Sequence, residues 1–173
     1  EQAGANIGRL SDEFVRALFN AMGHLAKTDG RVTEDEIRAT RLAMHRLGLS
    51  PAMVRRAIGW FDDGKAPGFP LVPTLREVRR VSGRSLSKRT LFLRLVLEVV
   101  LAKDSLAREE RARIWTICKE FDIGRVELAQ LEAMIRAQKG FKRSPAGDAD
   151  AARLRGAYAA LGVPADASND DIK

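Results

Sequence analysis

Apolar residues recur along this chain at the spacing of amphipathic helices. The clearest stripe comes first and advances by four, four and three residues: Phe14, Leu18, Met22 and Leu25. This spacing places its members on one face of a helix, where they can pack into a core. No stretch alternates apolar and polar residues for the length of a strand. The pattern therefore predicts an all-α bundle of about seven helices.

Polar residues predict where the first three helices begin. Ser11 is placed to cap the first helix, and Thr33 to cap the second, which is expected to run to about Leu47. Ser50 precedes Pro51, and proline is favoured at the first helical position because its missing amide hydrogen costs nothing there. A third helix is therefore expected from this point.

Four further helices are expected after a turn-rich segment at 62–70. They are predicted over about 74–81, from a Ser87 cap through the apolar run 91–101, over about 108–121, and from Gly124 to Gly140. The run 91–101 is apolar nearly all the way round. This helix is therefore predicted to be the central one, covered on several sides.

The same periodicity assigns the buried faces of individual helices. The predicted inward positions are Ile37, Met44 and Leu47 in the second helix, Met53, Ala57, Ile58 and Phe61 in the third, and Leu128, Leu131, Met134 and Ile135 in the last. These residues are the expected contacts of those helices with the core.

One stretch, 24–37, contains a complete helix end, turn and helix start. Asp29 and Gly30 supply the turn, because glycine adopts positive φ without a steric penalty. Thr33 and Glu36 have the spacing of a capping box, in which each side chain bonds the backbone amide of the other residue. A corner between two packed helices is therefore predicted here.

The same pattern recurs later in the chain, where 102–110 aligns with 26–36 if a deletion is allowed. Asp104 and Glu110 then take the places of Asp29 and Glu36, although the second copy has neither the glycine nor a good N-cap. Beyond it, 121–123 falls on 47–49. Two related helical hairpins are expected, which is too few copies for a solenoid.

Composition agrees with a globular helical domain. The chain has 173 residues, of which 45% are hydrophobic and 31% charged. It opens at Glu1 without an initiator methionine and ends at Lys173, a few residues into a predicted helix, so we expect a piece of a longer protein. The longest apolar run, 91–102, is shorter than the roughly 20 residues that cross a bilayer. Neither a spanning segment nor a signal peptide is predicted.

The net charge of +7 raises the question of nucleic-acid binding. Much of the excess lies between two apolar segments, at Arg76, Arg79, Arg80, Arg84, Lys88 and Arg89. Because the few aromatic residues fit helical core positions, there is no platform on which bases could stack. A solvated helix face is the preferred interpretation, and no nucleic-acid partner is expected.

Catalytic and zinc-binding patterns are missing from the sequence. The single Cys118 excludes an intrachain disulfide and is expected to be a buried, inert thiol in a reducing compartment. His24 and His45 lack the partners of a tetrahedral zinc site. No phosphate-binding loop, nucleophile elbow or dinucleotide fingerprint occurs. Neither enzymatic activity nor a cofactor is expected.

The first turn matches the EF-hand pattern of calcium-binding loops only in part. Asp29, Gly30 and Glu36 stand where positions 5, 6 and 12 of that loop would fall, but Leu25 and Lys27 would occupy positions 1 and 3 and remove two oxygen ligands. The EF-hand interpretation therefore fails. The remaining candidates for another metal site are the acids of this segment: Asp29, Glu34, Asp35 and Glu36.

Three segments, 22–37, 63–71 and the second hairpin through Gly124, resemble the tellurite-resistance-B-like (TerB-like) helical domain. The similarity covers residues 10 to about 140, and the form it resembles most is that of membrane-anchored DnaJ-like co-chaperones of Gram-negative bacteria. The second copy departs from the Asp-Gly of the family by carrying Ser105 after Asp104. This departure weakens a metal site built on paired acidic loops.

The tail is similar to the beginning of a J-domain. Its first helix would carry Tyr158 and Leu161, a turn would follow at Gly162, and Ser168 would cap a second helix. The resemblance implies four parts: a flexible segment at 1–9, the TerB-like domain at 10–140, a linker at 141–152 and an incomplete J-domain at 153–173. The His-Pro-Asp loop through which a J-domain acts on the Hsp70 DnaK is not in this chain.

The resemblance implies a non-catalytic regulatory or interaction domain in a co-chaperone of the bacterial inner membrane. Its membrane anchor and its contact with DnaK would lie outside these residues, and a homodimer is left open. The alternative is a cation-binding or stress-sensing module that uses the acidic loop 29–36.

Overall fold

Seven α-helices and no strand make up residues 9–142, the part of the chain that the computed structural model describes. The helices are α1 (Asp12–Ala26), α2 (Glu34–Arg46), α3 (Pro51–Gly64), α4 (Leu71–Ser82), α5 (Leu86–Val100), α6 (Arg108–Glu120) and α7 (Arg125–Lys142). The predicted all-α bundle of about seven helices is confirmed. None of these helices is long and apolar enough to cross a membrane.

Several predictions lie outside the described residues. They are the segment before residue 9, the linker beyond residue 142 and the J-domain beginning with Tyr158, Leu161, Gly162 and Ser168. The chain divides into two units after Ile135, and the packing described below is that of the first unit. Gly140 does not end α7, which continues to Lys142.

The first three helices begin at the predicted caps. The Ser11 hydroxyl accepts a hydrogen bond from the Phe14 amide at 3.2 Å, and Ser50 accepts one from the Met53 amide at the same distance. The predicted cap of α5, Ser87, is wrong. Ser85 performs this role by accepting from the Lys88 amide at 3.3 Å. Both serines precede the same apolar run. The one that caps α5 is Ser85, which is nearer to the turn after α4.

Helix α4 begins at Leu71, earlier than the expected start near Thr74. Pro73 lies in its first turn, where a proline removes only an amide that has no partner within the helix. Proline therefore does not exclude helix at this position.

The core is centred on α1 and α5. The ring of Phe92 on α5 contacts Phe14 of α1 edge-on at 5.7 Å and Phe121, after α6, at 5.2 Å. All three rings are fully buried. Helix α5 buries residues on every side, as predicted from its apolar circumference: Phe92, Leu93, Leu95, Val96, Leu97, Val99 and Val100.

Helices α1 and α3 approach each other closely enough for their backbones to touch. A Cβ atom added to Gly23 would lie 1.9 Å from the carbonyl oxygen of Phe61, and one added to Gly64 would lie 2.0 Å from that of Asn20. Only glycine fits at these two positions. The contact brings the end of α3 against the middle of α1.

Three predicted inward residues are exposed instead: Ile37 at 40%, Ile58 at 51% and Met134 at 46%. In α2 the buried face includes Glu36 and Thr40, so the inward stripe is displaced from the apolar one. The Thr40 hydroxyl donates to the Glu36 carbonyl at 2.8 Å, which lets this polar face be buried.

The two hairpins, α1–α2 and α5–α6, have connections of equal length, 27–33 and 101–107. No deletion separates them. Lys103 therefore corresponds to Asp29, whereas the sequence comparison had assigned Asp104 to that place. Gly48 and Asp122 end the second helix of each hairpin with left-handed φ values of 62° and 55°. Asp122 is the one non-glycine residue with positive φ in the described part of the chain.

Cys118 is fully buried on the inner face of α6, as predicted. Burial raises the pKa of its thiol to about 12. The thiolate is therefore scarce at neutral pH, and an inert packing role follows.

Candidate functional site

The junction between the two hairpins begins with the predicted capping box of α2. The Glu36 amide donates to the Thr33 hydroxyl at 3.2 Å, and the Thr33 amide donates to Glu36 Oε2 at 2.8 Å. Both halves of the box are present, as Thr-x-x-Glu spacing requires. Glu36 itself is fully buried, which the sequence pattern did not reveal.

The second hairpin contains half of a capping box. Glu110 is fully buried, and its Oε2 accepts the Ala107 amide at 2.7 Å. Ala107 has no side-chain acceptor to complete the box. Each hairpin thus places a buried glutamate in the first turn of its second helix, with one carboxylate oxygen bound to the backbone.

Lys103 lies between these two glutamates. Its ammonium donates to Asp29 Oδ2 at 2.6 Å and to Glu110 Oε1, and it lies 3.7 Å from Glu36 Oε1. The lysine side chain is only 11% exposed. Three carboxylates from two hairpins therefore converge on one ammonium, and we call these four residues the lysine junction.

Burial and pairing act in opposite directions on the lysine junction. Burial is the largest single influence on Lys103 and Asp29 and disfavours the charged form of each, but their hydrogen bonds and nearby opposite charges together outweigh it. The pKa of Lys103 is consequently raised and that of Asp29 lowered. For Glu36 burial dominates, and it raises the pKa despite the hydrogen bonds from Thr33. The junction at neutral pH combines a firmly charged lysine with a glutamate whose ionised form is costly.

One oxygen of the lysine junction has no hydrogen-bond partner among the described residues. Glu36 Oε1 is buried, and the Lys103 ammonium at 3.7 Å is too distant for a hydrogen bond. An unsatisfied buried carboxylate oxygen is unusual because water can no longer solvate it. The lysine junction therefore contains one buried carboxylate oxygen that accepts no hydrogen bond from Lys103.

The four metal candidates are not gathered at one place. Asp29 and Glu36 face Lys103, whereas Glu34 and Asp35 are exposed on α2, and Asp35 pairs with Arg38 at 3.5 Å. Within the described residues, no group of three or more His, Cys, Asp or Glu side chains could hold a metal ion. Asp104 follows Lys103 in the turn and corresponds to Gly30.

A second contact joins the hairpins beside the lysine junction. Arg113 of α6 donates to the His24 carbonyl at 3.2 Å and to the Thr28 hydroxyl, at the end of α1. The His24 ring lies 5.3 Å from that of Phe69. Burial and the nearby Arg113 charge lower the pKa of His24. This histidine is a packed side chain, neutral at physiological pH.

Three of the six basic residues in the segment 76–89 contact the end of α6. Arg79 pairs with Asp122 at 2.7 Å, Arg89 donates to the Phe121 carbonyl at 3.0 Å, and Arg76 lies 3.6 Å from Glu120. Cations at a helix C-terminus are stabilised by its unpaired carbonyls. These arginines therefore have a structural role.

An open groove of about 210 Å³ lies between α2 and α3. The exposed Ile37 and Ile58 face it together with Met44 and Phe61, and Arg41 lies on its rim. The prediction that these two isoleucines lie in the core is therefore wrong, and both belong to one apolar groove on the surface.

Comparison with known proteins identifies the family. The family described as "Tellurite resistance protein TerB" matches residues 16–133. Proteins named "Co-chaperone protein DjlA" match nearly the whole chain: 32% identity over 95% of it in Coxiella burnetii, 34% over 98% in Photobacterium profundum and 30% over 100% in Aliivibrio fischeri. The chain spans 62%, 64% and 67% of the lengths of these relatives. No solved structure matches the chain.

The residues matched by the family include parts of both hairpins and the segment between them. The relatives are co-chaperones by name, in agreement with the resemblance found in the sequence. The chain therefore belongs to the TerB family and, within it, to the DjlA-like co-chaperone proteins.

Proposed function

We propose that residues 10–140 are a non-catalytic interaction and regulatory domain of a DjlA-like co-chaperone. The observation that carries this proposal is the match of nearly the whole chain to co-chaperone proteins DjlA. The lysine junction supports it, because its carboxylates are engaged with backbone amides and one ammonium and are not presented to a substrate. The domain would organise other parts of the protein.

The full-length protein would stimulate the ATPase of the Hsp70 DnaK through a J-domain. Residues 153–173, with Tyr158, Leu161, Gly162 and Ser168, would be its beginning. Histidine occurs in this chain only twice, at His24 and His45, and neither precedes a Pro-Asp sequence. Residues 1–173 alone are therefore expected not to activate DnaK.

The test compares DnaK ATP turnover with the full-length protein, with residues 1–173, and with a full-length variant whose His-Pro-Asp loop is altered. We expect stimulation by the first alone. Stimulation by residues 1–173, or none by the full-length protein, would contradict the assignment. Deleting residues 10–140 from the full-length protein then separates regulation from activation, since the J-domain is retained.

The co-chaperone would act at the cytoplasmic face of the inner membrane, held by a segment outside these residues, and the helical domain would position or dimerise it there. Fractionation of cells that express the full-length protein tests the location. Sedimentation of residues 1–173 tests dimerisation, and a strict monomer at high concentration would count against dimerisation through this domain.

The alternative is a cation-binding module that uses the loop 29–36. Its one favourable observation is the unsatisfied Glu36 oxygen, whereas the Lys103 charge opposes it. Calorimetric titration with calcium, magnesium and zinc decides between the two functions. Absence of both binding heat and a change in melting temperature would remove the alternative.

A further inference from the structure

An open cleft of about 400 Å³ lies between α1 and α4, away from the lysine junction. Its volume is within the range of sites that hold small ligands. We call it the α1–α4 cleft. The lining residues that matter here are Glu13, Arg16, Ala17 and Asn20 of α1 and Thr74 and Glu77 of α4.

The deepest polar group of the cleft is the amide of Asn20. This residue is only 7% exposed, and its Oδ1 is buried without a hydrogen-bond partner among the described residues. A buried amide oxygen without a donor destabilises a fold, and asparagine is also a poor helix former. A leucine at this inward position of α1 would avoid both costs. The Asn20 oxygen is therefore available to an N–H donor of a ligand.

The other polar groups of the cleft differ in whether they already have partners. Both carboxylate oxygens of Glu77 accept from Arg80, at 2.9 and 2.5 Å. The Thr74 hydroxyl donates to the Pro70 carbonyl at 2.8 Å. Arg16, in contrast, is exposed and forms no ion pair within the described part of the chain. Its guanidinium can therefore bind an anion that enters the cleft.

The arrangement on α1 indicates which anion fits. Arg16 and Asn20 are four residues apart, so their side chains are neighbours on one face of the helix. The carboxylates of Glu13 and Glu77 border the same cleft and disfavour a dianion such as phosphate. The fitting ligand has a single negative charge and an N–H donor close to it.

We propose that the α1–α4 cleft binds the carboxy-terminal end of a peptide. Arg16 would pair with the terminal carboxylate, and Asn20 would accept the main-chain N–H of the last residue. In a peptide these two groups are attached to the same carbon atom, which matches neighbouring side chains on a helix. The inference rests on the cleft alone and needs neither DnaK nor a J-domain.

The experiment is an NMR titration of residues 1–173 with N-acetyl-trialanine, with its carboxamide and with sodium acetate. N-acetyl-trialanine should shift the side-chain amide signals of Asn20 and the Nε–H signal of Arg16, with a dissociation constant of about 10⁻⁴ to 10⁻³ M for a ligand of this size. The carboxamide lacks the charge for Arg16, and acetate lacks the N–H for Asn20. Each should therefore bind roughly tenfold more weakly or less.

Two variants separate binding from folding. Arg16→Gln removes an exposed charge and should weaken binding of N-acetyl-trialanine by about tenfold or more at an unchanged melting temperature. Asn20→Leu keeps the branched shape of the side chain and should weaken binding to a similar extent. It should melt at the same or a higher temperature, because it removes an unsatisfied buried polar group. Arg41→Gln, an exposed position on α2, is the matched control and should change neither property.

The proposal is overturned if N-acetyl-trialanine shifts neither signal at millimolar concentration, or if its carboxamide or acetate binds equally well. It is also overturned if Arg16→Gln binds the peptide as tightly as the native chain. A large drop in the melting temperature of Asn20→Leu would overturn the ligand role of the amide, because the fold would then require it. Equal binding of free alanine would exclude a peptide end as the ligand.

Discussion

Glu36 and Glu110 are buried acids whose two carboxylate oxygens have different partners. One oxygen caps a helix, and the other faces Lys103. Burial of an acid is tolerable when its charge is paired and its hydrogen bonds are made. Glu110 meets this condition fully, whereas Glu36 meets it in part. The two residues should therefore respond differently to substitution.

The variant Glu110→Ala should lower the free energy of unfolding by about 3–5 kcal/mol, because it leaves the Lys103 ammonium and the Ala107 amide without this partner. Urea denaturation measures the change. Glu109→Ala is the matched control, since its side chain is exposed and its removal should stay within about 0.5 kcal/mol. Equal effects of the two variants would contradict the buried role of Glu110.

Acid should weaken the fold through Asp29. Its pKa is lowered from an ordinary value of 3.8, so the stability that it contributes is present above that pH and is lost as pH falls through the lowered value. Asp29→Asn should cost about 1 kcal/mol or less at neutral pH and nothing at the acid limit. Denaturation at several pH values measures the difference, and a difference that does not change with pH would contradict the ion pair.

The residues of the first turn could be predicted from the sequence, but their partner Lys103 could not. Thr33 and Glu36 follow a local pattern, so their capping box could be predicted. Lys103 is 74 positions from Asp29, and no local pattern connects them. The predicted register of the repeat matched Asp104 with Asp29 because both are acids. In the structure the helix ends determine the register and bring an opposite charge to that place.

The inward face of helix α2 is partly polar, and for this reason its apolar residues predicted the wrong buried face. Thr40 and one carboxylate oxygen of Glu36 can point inward because their hydrogen bonds are made within the helix or at its cap. Ile37 is left facing the groove shared with Ile58. Periodicity identifies helices reliably here, but it locates a buried face only where that face is apolar.

The contact between α1 and α3 gives a prediction for glycine. Gly64→Ala should destabilise the protein by about 1–3 kcal/mol, because its Cβ would lie 2.0 Å from the Asn20 carbonyl oxygen and the helices must separate. Gly59→Ala in the same helix meets nothing within 4 Å and should stabilise by about 0.5–1 kcal/mol. Thermal melts followed by circular dichroism distinguish the two. Similar melting temperatures would contradict the close approach.

For the whole molecule, the all-α class and the central place of α5 could be predicted because they follow from composition and local periodicity. The pairing of helices could not, since it depends on contacts such as Gly64 with Asn20 that leave no trace in the pattern. The family resemblance added the family, which the comparisons confirm as DjlA-like.

Because Cys118 is fully buried, the rate at which its thiol is labelled should measure global unfolding. Its thiol is fully buried on α6, and its high pKa leaves little nucleophile at neutral pH. Labelling by an aromatic disulfide reagent should therefore proceed only through the unfolded chain, at a rate set by the opening equilibrium. Stopped-flow labelling in increasing urea measures that rate. A fast, urea-independent phase would mean that α6 detaches on its own.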